Sequence, residues 1–195
     1  SYPGVLPLAA VTFVYFLATS VYPAVWAFWG IAAFGWSEAT IGLTLAAFGL
    51  TMAVVQGAGT GPAVRILGER GAVLLGLAVS ALVALGYGLA PGLGVVMALL
   101  VLHSLEGFVH PALTALMSHA APADAQGELQ GGISSLQNLA MVIGTVFFAQ
   151  VFGYFLRPDA PVQSTGMAYY ISSAMVAAVL IGVLLVPTRK DESSV

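Results

Sequence analysis

The sequence predicts an all-α membrane protein with six transmembrane helices. Hydrophobic residues make up 59% of its 195 residues and charged residues only 7%, which leaves too little polar surface for a water-soluble domain. Apolar runs between the few charges reach the ~20 residues that a helix rising ~1.5 Å per residue needs to cross a bilayer. We therefore expect lipid to surround most of the chain.

Six spans are predicted within a single domain of residues 1–195. They cover residues 5–33, 39–62, 72–90, 93–118, 127–155 and 167–186.

Turn-forming residues and charges mark the end of each predicted span. Residues 35–38 separate the first two spans, residues 61–71 carry charges between the second and third, and Pro91-Gly92 makes the third turn. Residues 119–126 form the fourth connection, in which Asp124 is a candidate N-cap for the fifth helix, and residues 157–164 form the fifth. Pro187 ends the last span.

The few basic residues predict how the chain is oriented. With an even number of spans, both termini lie on one side of the membrane, together with the second and fourth loops. Four of the five basic residues fall on that side, namely Arg65, Arg70, Arg189 and Lys190, and Arg157 falls on the other. Because loops rich in Lys and Arg stay inside the cell, we expect a multi-pass protein of the cell inner (plasma) membrane with both termini cytoplasmic.

Glycines on the second and fifth spans predict close helix packing. They are Gly42, Gly49, Gly57, Gly59 and Gly61 on the second span, and Gly127 and Gly131 in a GxxxG spacing on the fifth. The alternative is that glycine is simply frequent in membrane helices.

Several classes of protein are excluded by residues that the sequence lacks. The net charge is −3 and no run of Lys and Arg could neutralise phosphates, so no nucleic-acid partner is expected. There is no cysteine for a disulfide, a thiolate metal site or a nucleophile. The chain has no glycine-rich phosphate loop with a Lys and no serine nucleophile with a plausible base, so we expect neither an enzyme nor an ATP-driven pump, and no cofactor.

Glu106 is the residue most informative about function. It lies near the middle of the fourth predicted span, where a charge facing lipid would cost at least ~2.5 kcal/mol, so it should face protein or water. His103 and His110 project within about 60° of it on a regular α-helix and predict one polar stripe. Such a stripe has the chemistry of a proton relay. The alternatives are a polar contact between helices, and a metal site whose spacing differs from that of the metalloproteases.

A second set of polar residues predicts a cavity wall. Gln130, Ser134, Gln137 and Asn138 give one face of the fifth span polar side chains far into the helix, and Gln56 lies deep in the second span. These side chains are expected to line water or substrate. Hydrogen bonding between helices is the competing interpretation.

Aromatic and hydroxyl side chains of the first span are further cavity candidates. Tyr15, Thr19, Tyr22 and Trp26 recur at helical spacing around Pro23, which could loosen the backbone where a cavity forms. An aromatic belt at the lipid interface is the alternative for the tryptophans, and it is the preferred interpretation for Trp36.

Strings of residues along nearly the whole chain resemble a known family. They are Phe34-Gly35-Trp36-Ser37, Thr40-Ile41-Gly42-Leu43, Leu45-Ala46-Ala47-Phe48-Gly49, Gly61-Pro62, Leu67-Gly68-Glu69-Arg70, Pro111-Ala112-Leu113 and Gln126-Gly127-Glu128-Leu129-Gln130-Gly131. In order and spacing they resemble the carboxyl-terminal six-helix half of tetracycline-efflux proteins in the major facilitator superfamily. The resemblance implies that the spans are helices seven to twelve of that fold, with the first, second, fourth and fifth bordering a central cavity.

One segment departs from the family pattern. The family's signature loop has Gly, then Asp-Arg, then Gly-Arg-Arg, whereas this chain has Arg65-Ile66 and Glu69 at the matching positions. A gating role of that loop is therefore not carried over.

The functional prediction is half of a proton-coupled efflux antiporter for a small amphipathic drug or metabolite, with Glu106 and its histidines as the proton site. Its partners would be the substrate, protons, the bilayer, and a second six-helix half or another copy of the chain. One alternative is an isolated, transport-incompetent half or interaction module. The other is a divalent-metal transporter, for which His103, Glu106 and His110 are the motivation.

Overall fold

The computed structural model describes residues 5–119, 122 and 125–185, and within them the chain is almost entirely helical. The α-helices are α1 (Val5–Thr19), α2 (Val21–Phe34), α3 (Glu38–Val54), α4 (Thr60–Leu89), α5 (Leu93–His103), α6 (Val109–His119), α7 (Gln126–Phe155) and α8 (Met167–Leu185). A π-helical turn at Val55–Gly59 joins α3 to α4, and a 3₁₀ turn at Ser104–Phe108 joins α5 to α6. The all-α prediction is confirmed. Asp124, Pro187, Arg189 and Lys190 lie outside the described residues.

Five helical stretches in the described part of the chain are long and apolar enough to cross a membrane. They are Leu6–Phe34, Glu38–Leu89, Leu93–Ser118, Gln126–Phe155 and Met167–Leu185. Four lie where a span was predicted, and the second covers the predicted spans 39–62 and 72–90 together. The count of six spans therefore depends on whether the helical stretch Glu38–Leu89 is divided by a turn.

A break at Gly68 divides the stretch Glu38–Leu89. As one helix its 52 residues would be about 78 Å long, more than twice the ~30 Å hydrocarbon thickness of a bilayer. Gly68 has φ 71° and ψ 169°, a conformation that glycine adopts without a steric penalty. Arg65, Glu69 and Arg70 surround the break, as expected for a turn in the polar region. The prediction of two spans here rests on this turn.

Local signals explain the sharp connection between α2 and α3. Gly35 ends α2 in the left-handed conformation with φ 65°, and its N–H donates back into the last turn of the helix. Ser37 begins α3 as N-cap, since its Oγ accepts the backbone N–H of Thr40 at 3.2 Å.

Contacts between connections define two ends of the helix bundle. Gly88 lies beside residues 163–166, and residues 34–37 lie beside Gly92 and Leu93. We call this end, which carries residues 35–37, 90–92 and 156–166, the loop end. At the other end Arg70 Nη2 donates to the carbonyl oxygens of Val183 and Leu184, both at 3.0 Å, and so ties α4 to the last turn of α8.

Glycines allow helices to approach closely, although mostly not the glycines that the spacing predicts. A Cβ on Gly144 of α7 would run into Ser20 and lie 2.7 Å from the carbonyl oxygen of Leu17, so α1 and α7 meet at backbone distance. Of the predicted positions, only Gly59 packs, against Phe108. The others have no atom within 4 Å of where a Cβ would lie, namely Gly42, Gly49, Gly57, Gly61, Gly127 and Gly131. Those glycine faces are open in this chain.

Candidate functional site

Glu106 lies in the 3₁₀ turn and is 7% exposed, at the centre of a polar network inside the bundle. Its Oε1 accepts a hydrogen bond from Tyr15 Oη of α1 at 2.7 Å. Its Oε2 accepts one from Ser80 Oγ of α4 at 2.9 Å and lies 2.8 Å from Nε2 of His103. A buried carboxylate without partners would be very costly, so these three contacts are what allow it to stay inside the protein.

The 3₁₀ turn explains why Glu106 meets His103 and not His110. In a 3₁₀ helix the side chains of residues i and i+3 eclipse each other, which places the carboxylate directly over the imidazole. The same turn advances ~120° per residue where an α-helix advances ~100°, so it rotates all later residues out of the predicted stripe. His110 is exposed and packs edge-on against Phe16, with ring centroids 5.6 Å apart.

His103 is held on all sides. Its Nδ1 lies 3.2 Å from Tyr87 Oη, and the rings of Tyr22 and Phe48 pack on the imidazole with centroids 4.3 and 4.7 Å away. A carboxylate only accepts hydrogen bonds, so with neutral His103 the Nε2–H donates to Glu106 and Tyr87 donates to Nδ1. The pair of Glu106 and His103 can hold one or two protons without losing its hydrogen-bond partners.

Tryptophans close the loop end of the bundle above this network. Trp26 is buried and donates its Nε1–H to Thr44 Oγ1 at 2.9 Å, which fixes α2 on α3. Trp36 is 7% exposed and packs on Trp26, Trp29 and Phe34. The preferred interpretation of Trp36 as part of a lipid-interface belt is therefore wrong, because the left-handed turn at Gly35 folds its ring back into the bundle.

The predicted cavity residues separate into an inner and an outer group. Tyr15 and Trp26 are buried in the contacts above, whereas Thr19 and Tyr22 are half-buried. The helix of the first span is interrupted at Ser20, three residues before Pro23, whose missing N–H cannot donate to Thr19.

The remaining candidates differ in how far they face the bundle. Gln56, Gln130, Ser134 and Asn138 are exposed, but the Gln56 side chain lies beside Gly107 of the 3₁₀ turn, and Gln130 Nε2 donates to Ser118 Oγ at 3.4 Å. Gln137 is half-buried, and its buried Nε2 has no partner among the described residues. Ser134 and Asn138 therefore give α7 a polar face that is exposed in this chain. Lipid is a poor environment for amide groups, so this face needs water or protein opposite it.

Two residues of the network around Glu106 and His103 were not predicted from the sequence. Ser80 and Tyr87 lie seven residues apart in α4 and so share one helix face, yet each is a single polar residue in an apolar run. Their separation of seven residues was the signal in the sequence that could have placed them on one helix face. It does not reveal which neighbouring helix holds a carboxylate or an imidazole opposite that face.

No group of three or more His, Cys, Asp and Glu side chains that could hold a metal comes together among residues 5–119, 122 and 125–185. His110, the third ligand on which the metal-transport alternative depends, lies on the other side of the 3₁₀ turn from the pair. The three side chains on which that alternative depends are therefore not brought together.

Long apolar helices that enclose a buried acid and imidazole indicate a multi-pass membrane protein. The sequence profile described as "Major Facilitator Superfamily" matches residues 8–195, and the chain belongs to this family. The resemblance found in the sequence is confirmed, and the match indicates a transporter rather than an enzyme.

Proteins of known name support the same family. The chain is 32% identical over 173 residues to "Tetracycline resistance protein, class C" from Escherichia coli. The matched region covers 88% of this chain and 42% of that protein. It is 37% identical over 149 residues to the class G protein of Vibrio anguillarum, which covers 76% of this chain and 38% of the relative. The class D protein of Salmonella ordonez is 31% identical over 168 residues, which make up 84% of this chain and 43% of the relative. The chain thus spans less than half the length of these relatives.

Proposed function

We propose that this chain is one half of a proton-coupled efflux antiporter and that Glu106 and His103 are its proton site. The observation that carries the proposal is the buried pair of Nε2 and Oε2, 2.8 Å apart, inside a membrane-spanning segment. Ionisable groups in that position cost free energy, and within membrane spans they generally mark ion or substrate pathways. His110 was part of the predicted proton site, and its exposed position gives it no contact with the pair.

The contacts of Glu106 support a role in proton exchange. Tyr15, Ser80 and His103 stabilise its ionised form by donating hydrogen bonds. When the carboxyl takes up a proton it gains one O–H donor and still accepts elsewhere, and of the three partners only His103 Nε2 can become a pure acceptor, with the imidazole proton on Nδ1. Protonation therefore changes the charge and hydrogen bonding of a site that touches α1, α4 and α5. A charge change shared by several helices is what coupling to a conformational change requires.

The open polar face of α7 supports a cavity for an amphipathic substrate. Gln130, Ser134, Gln137 and Asn138 can orient a ligand through amide and hydroxyl groups, while exposed apolar neighbours such as Leu139 and Val142 offer it an apolar surface. The relatives are named for resistance to tetracycline, an amphipathic drug, and we propose a compound of that kind as the substrate.

A partner is needed to complete that cavity. The α7 stretch is the least buried of the five membrane stretches, and its Gly127 and Gly131 face open space, as do Gly42 and Gly49 of α3. Small residues on an open helix face suit contact with other helices. We propose a second six-helix half, or a second copy of this chain, as the occupant, with both in the cell inner membrane and the termini in the cytoplasm.

Dissipating the proton gradient tests the coupling. We expect everted membrane vesicles carrying the complete transporter to accumulate tetracycline only while a pH gradient exists, and a protonophore to reduce accumulation to the level of vesicles without the protein. Radiolabelled tetracycline measures accumulation, and the fluorescence of an acridine dye measures the pH gradient. Accumulation that continues after the gradient has collapsed would contradict the proposal.

Replacing Asn138 by leucine tests the cavity wall. The change removes an exposed amide from the α7 face, and we expect the apparent affinity for tetracycline to fall roughly three- to tenfold, the effect of one lost polar contact. Ile143→Leu, an exposed apolar change five residues further along α7, is the matched control and should bind normally. Equal binding by Asn138→Leu and its control would remove this residue from the substrate site.

A further inference from the structure

Three tyrosines lie between the pair of Glu106 and His103 and the loop end. Tyr87 is in the last turn of α4 and Tyr169 in the first turn of α8, so both lie near the loop end, whereas Tyr22 begins α2 deeper in the bundle. Their ring centroids are 5.6 Å apart for Tyr87 and Tyr169, 6.0 Å for Tyr22 and Tyr169, and 6.1 Å for Tyr22 and Tyr87. We call these three side chains the tyrosine cluster.

The hydroxyl groups of the cluster are not explained by packing. Tyr87 Oη contacts Nδ1 of His103, whereas the Oη of Tyr169 is buried without a hydrogen-bond partner among the described residues. The Oη of Tyr22 is buried too and lies near Ser80, but it makes no well-aligned hydrogen bond to a described residue. Tyr169 is 0% exposed. A phenylalanine would fill the same volume without burying an unsatisfied hydroxyl. Hydroxyls in such a position need water as a partner, and a buried water needs several polar groups around it.

The surroundings of the cluster exclude a wide aqueous channel. Trp26 packs on Tyr87 with centroids 5.1 Å apart, and Trp29 packs on Tyr169 at 4.9 Å. The titratable side chains that contact the pair are themselves tyrosines, Tyr15 from α1, Tyr22 from α2 and Tyr87 from α4, while α3 contributes the Phe48 ring. Such close aromatic packing favours a proton, which can be relayed by hydroxyl groups and single waters, over a hydrated ion.

We propose that the tyrosine cluster, together with buried water, is the route by which protons pass between the loop end and the pair of His103 and Glu106. The proposal rests on the proton site named under the proposed function. It assigns a proton-conducting role to the three hydroxyl groups, and it places the exchange of protons on the side of the membrane where the loop end lies.

The transfer balances without any other reactant. Tyr87 gives its hydroxyl proton to Nδ1 of His103 and receives a proton from a water hydrogen-bonded to the cluster, and that water is in turn reprotonated by a hydronium ion of the aqueous phase at the loop end, so both the tyrosine and the water are regenerated. The imidazolium formed in this way passes its Nε2 proton to Oε2 of Glu106 across the 2.8 Å contact. The net change is one proton moved from water at the loop end to the carboxylate, with His103 left neutral as the other tautomer.

Single hydroxyl deletions test the route. In the complete transporter reconstituted in liposomes, we expect Tyr87→Phe to slow tetracycline-driven proton movement about tenfold, and Tyr169→Phe to slow it severalfold, as read by a pH-sensitive dye. Equilibrium binding of tetracycline should not change. Tyr169→Phe is the more specific test, because the Tyr169 hydroxyl has no partner among the described residues and its removal breaks no hydrogen bond between them. Tyr154→Phe, on an exposed tyrosine of α7, is the matched control and should move protons at the wild-type rate.

A comparison with Glu106→Gln separates the two proposals. If Glu106→Gln stops coupled proton movement while Tyr87→Phe and Tyr169→Phe both behave like Tyr154→Phe, the route is overturned and the proton site stands. If coupling survives in Glu106→Gln, the proton site is wrong and the route to it falls with it. Slow proton movement in both tyrosine variants, with normal binding, supports the route.

Discussion

Replacing Glu106 by glutamine is expected to abolish proton-coupled transport while the protein stays folded. The amide has the size of the carboxyl group; its oxygen, in the place of Oε1, still accepts from Tyr15, and its nitrogen, in the place of Oε2, donates to Ser80 Oγ, which accepts instead of donating. Its NH₂ group donates to Nε2 of His103, whose proton then resides on Nδ1 and donates to Tyr87. Every contact can be kept, but the side chain no longer takes up or releases a proton.

The measurement separates coupling from transport. We expect gradient-driven tetracycline accumulation in everted vesicles to fall about 100-fold or more, as is usual when a proton-transfer group is removed. Exchange of labelled for unlabelled tetracycline, which needs no net proton movement, should persist. Glu128→Gln is the matched control, because Glu128 is an exposed acid in the first turn of α7. Accumulation at wild-type levels in Glu106→Gln would remove Glu106 from the proton site.

Replacing Gly144 by leucine is expected to have the largest effect on folding. A Cβ at this position would run into Ser20 and the carbonyl of Leu17, so any side chain forces α1 away from α7. Over-packing of this kind costs typically 1–3 kcal/mol, and a backbone carbonyl in the way allows little relief, so we expect about 2 kcal/mol or more. Tyr15 lies one turn before this contact, so the Glu106 network should loosen as well.

The control lies on the same helix. Gly153 of α7 is exposed and has no atom within 4 Å of where a Cβ would lie, so Gly153→Leu should leave stability unchanged or raise it slightly through better helix propensity. Thermal unfolding in detergent, followed by circular dichroism, gives the comparison. Equal midpoints for the two variants would show that α1 and α7 do not meet at Gly144.

Much of the candidate site could be predicted from the residues. The cost of a charge in the bilayer identified Glu106, and helical spacing identified His103 as its neighbour, because a separation of three residues brings side chains together in both α- and 3₁₀-helices. His110 was joined to them only on the assumption of a regular α-helix. Five residues in a tighter turn were enough to separate it from the pair.

Residues that interact across the bundle could not be predicted in this way. Ser80 is 26 residues from Glu106 in sequence and Tyr15 is 91, and nothing in the local pattern of α1 or α4 indicates which helix lies opposite. The same holds for Gly144, whose close approach to α1 depends on how the two helices cross.

The amino-acid sequence alone determined the solvent, the secondary structure and the family of this protein. These follow from hydropathy, which is summed over ~20 residues, and from turn residues, which act on the backbone beside them. Only the tertiary structure decided which hydroxyls meet Glu106, that Trp36 folds inward, and which glycine faces remain open. Those outcomes depend on which helices are neighbours and on how each helix is rotated about its own axis. That rotation is set by packing and by short non-α turns, which local periodicity does not reveal.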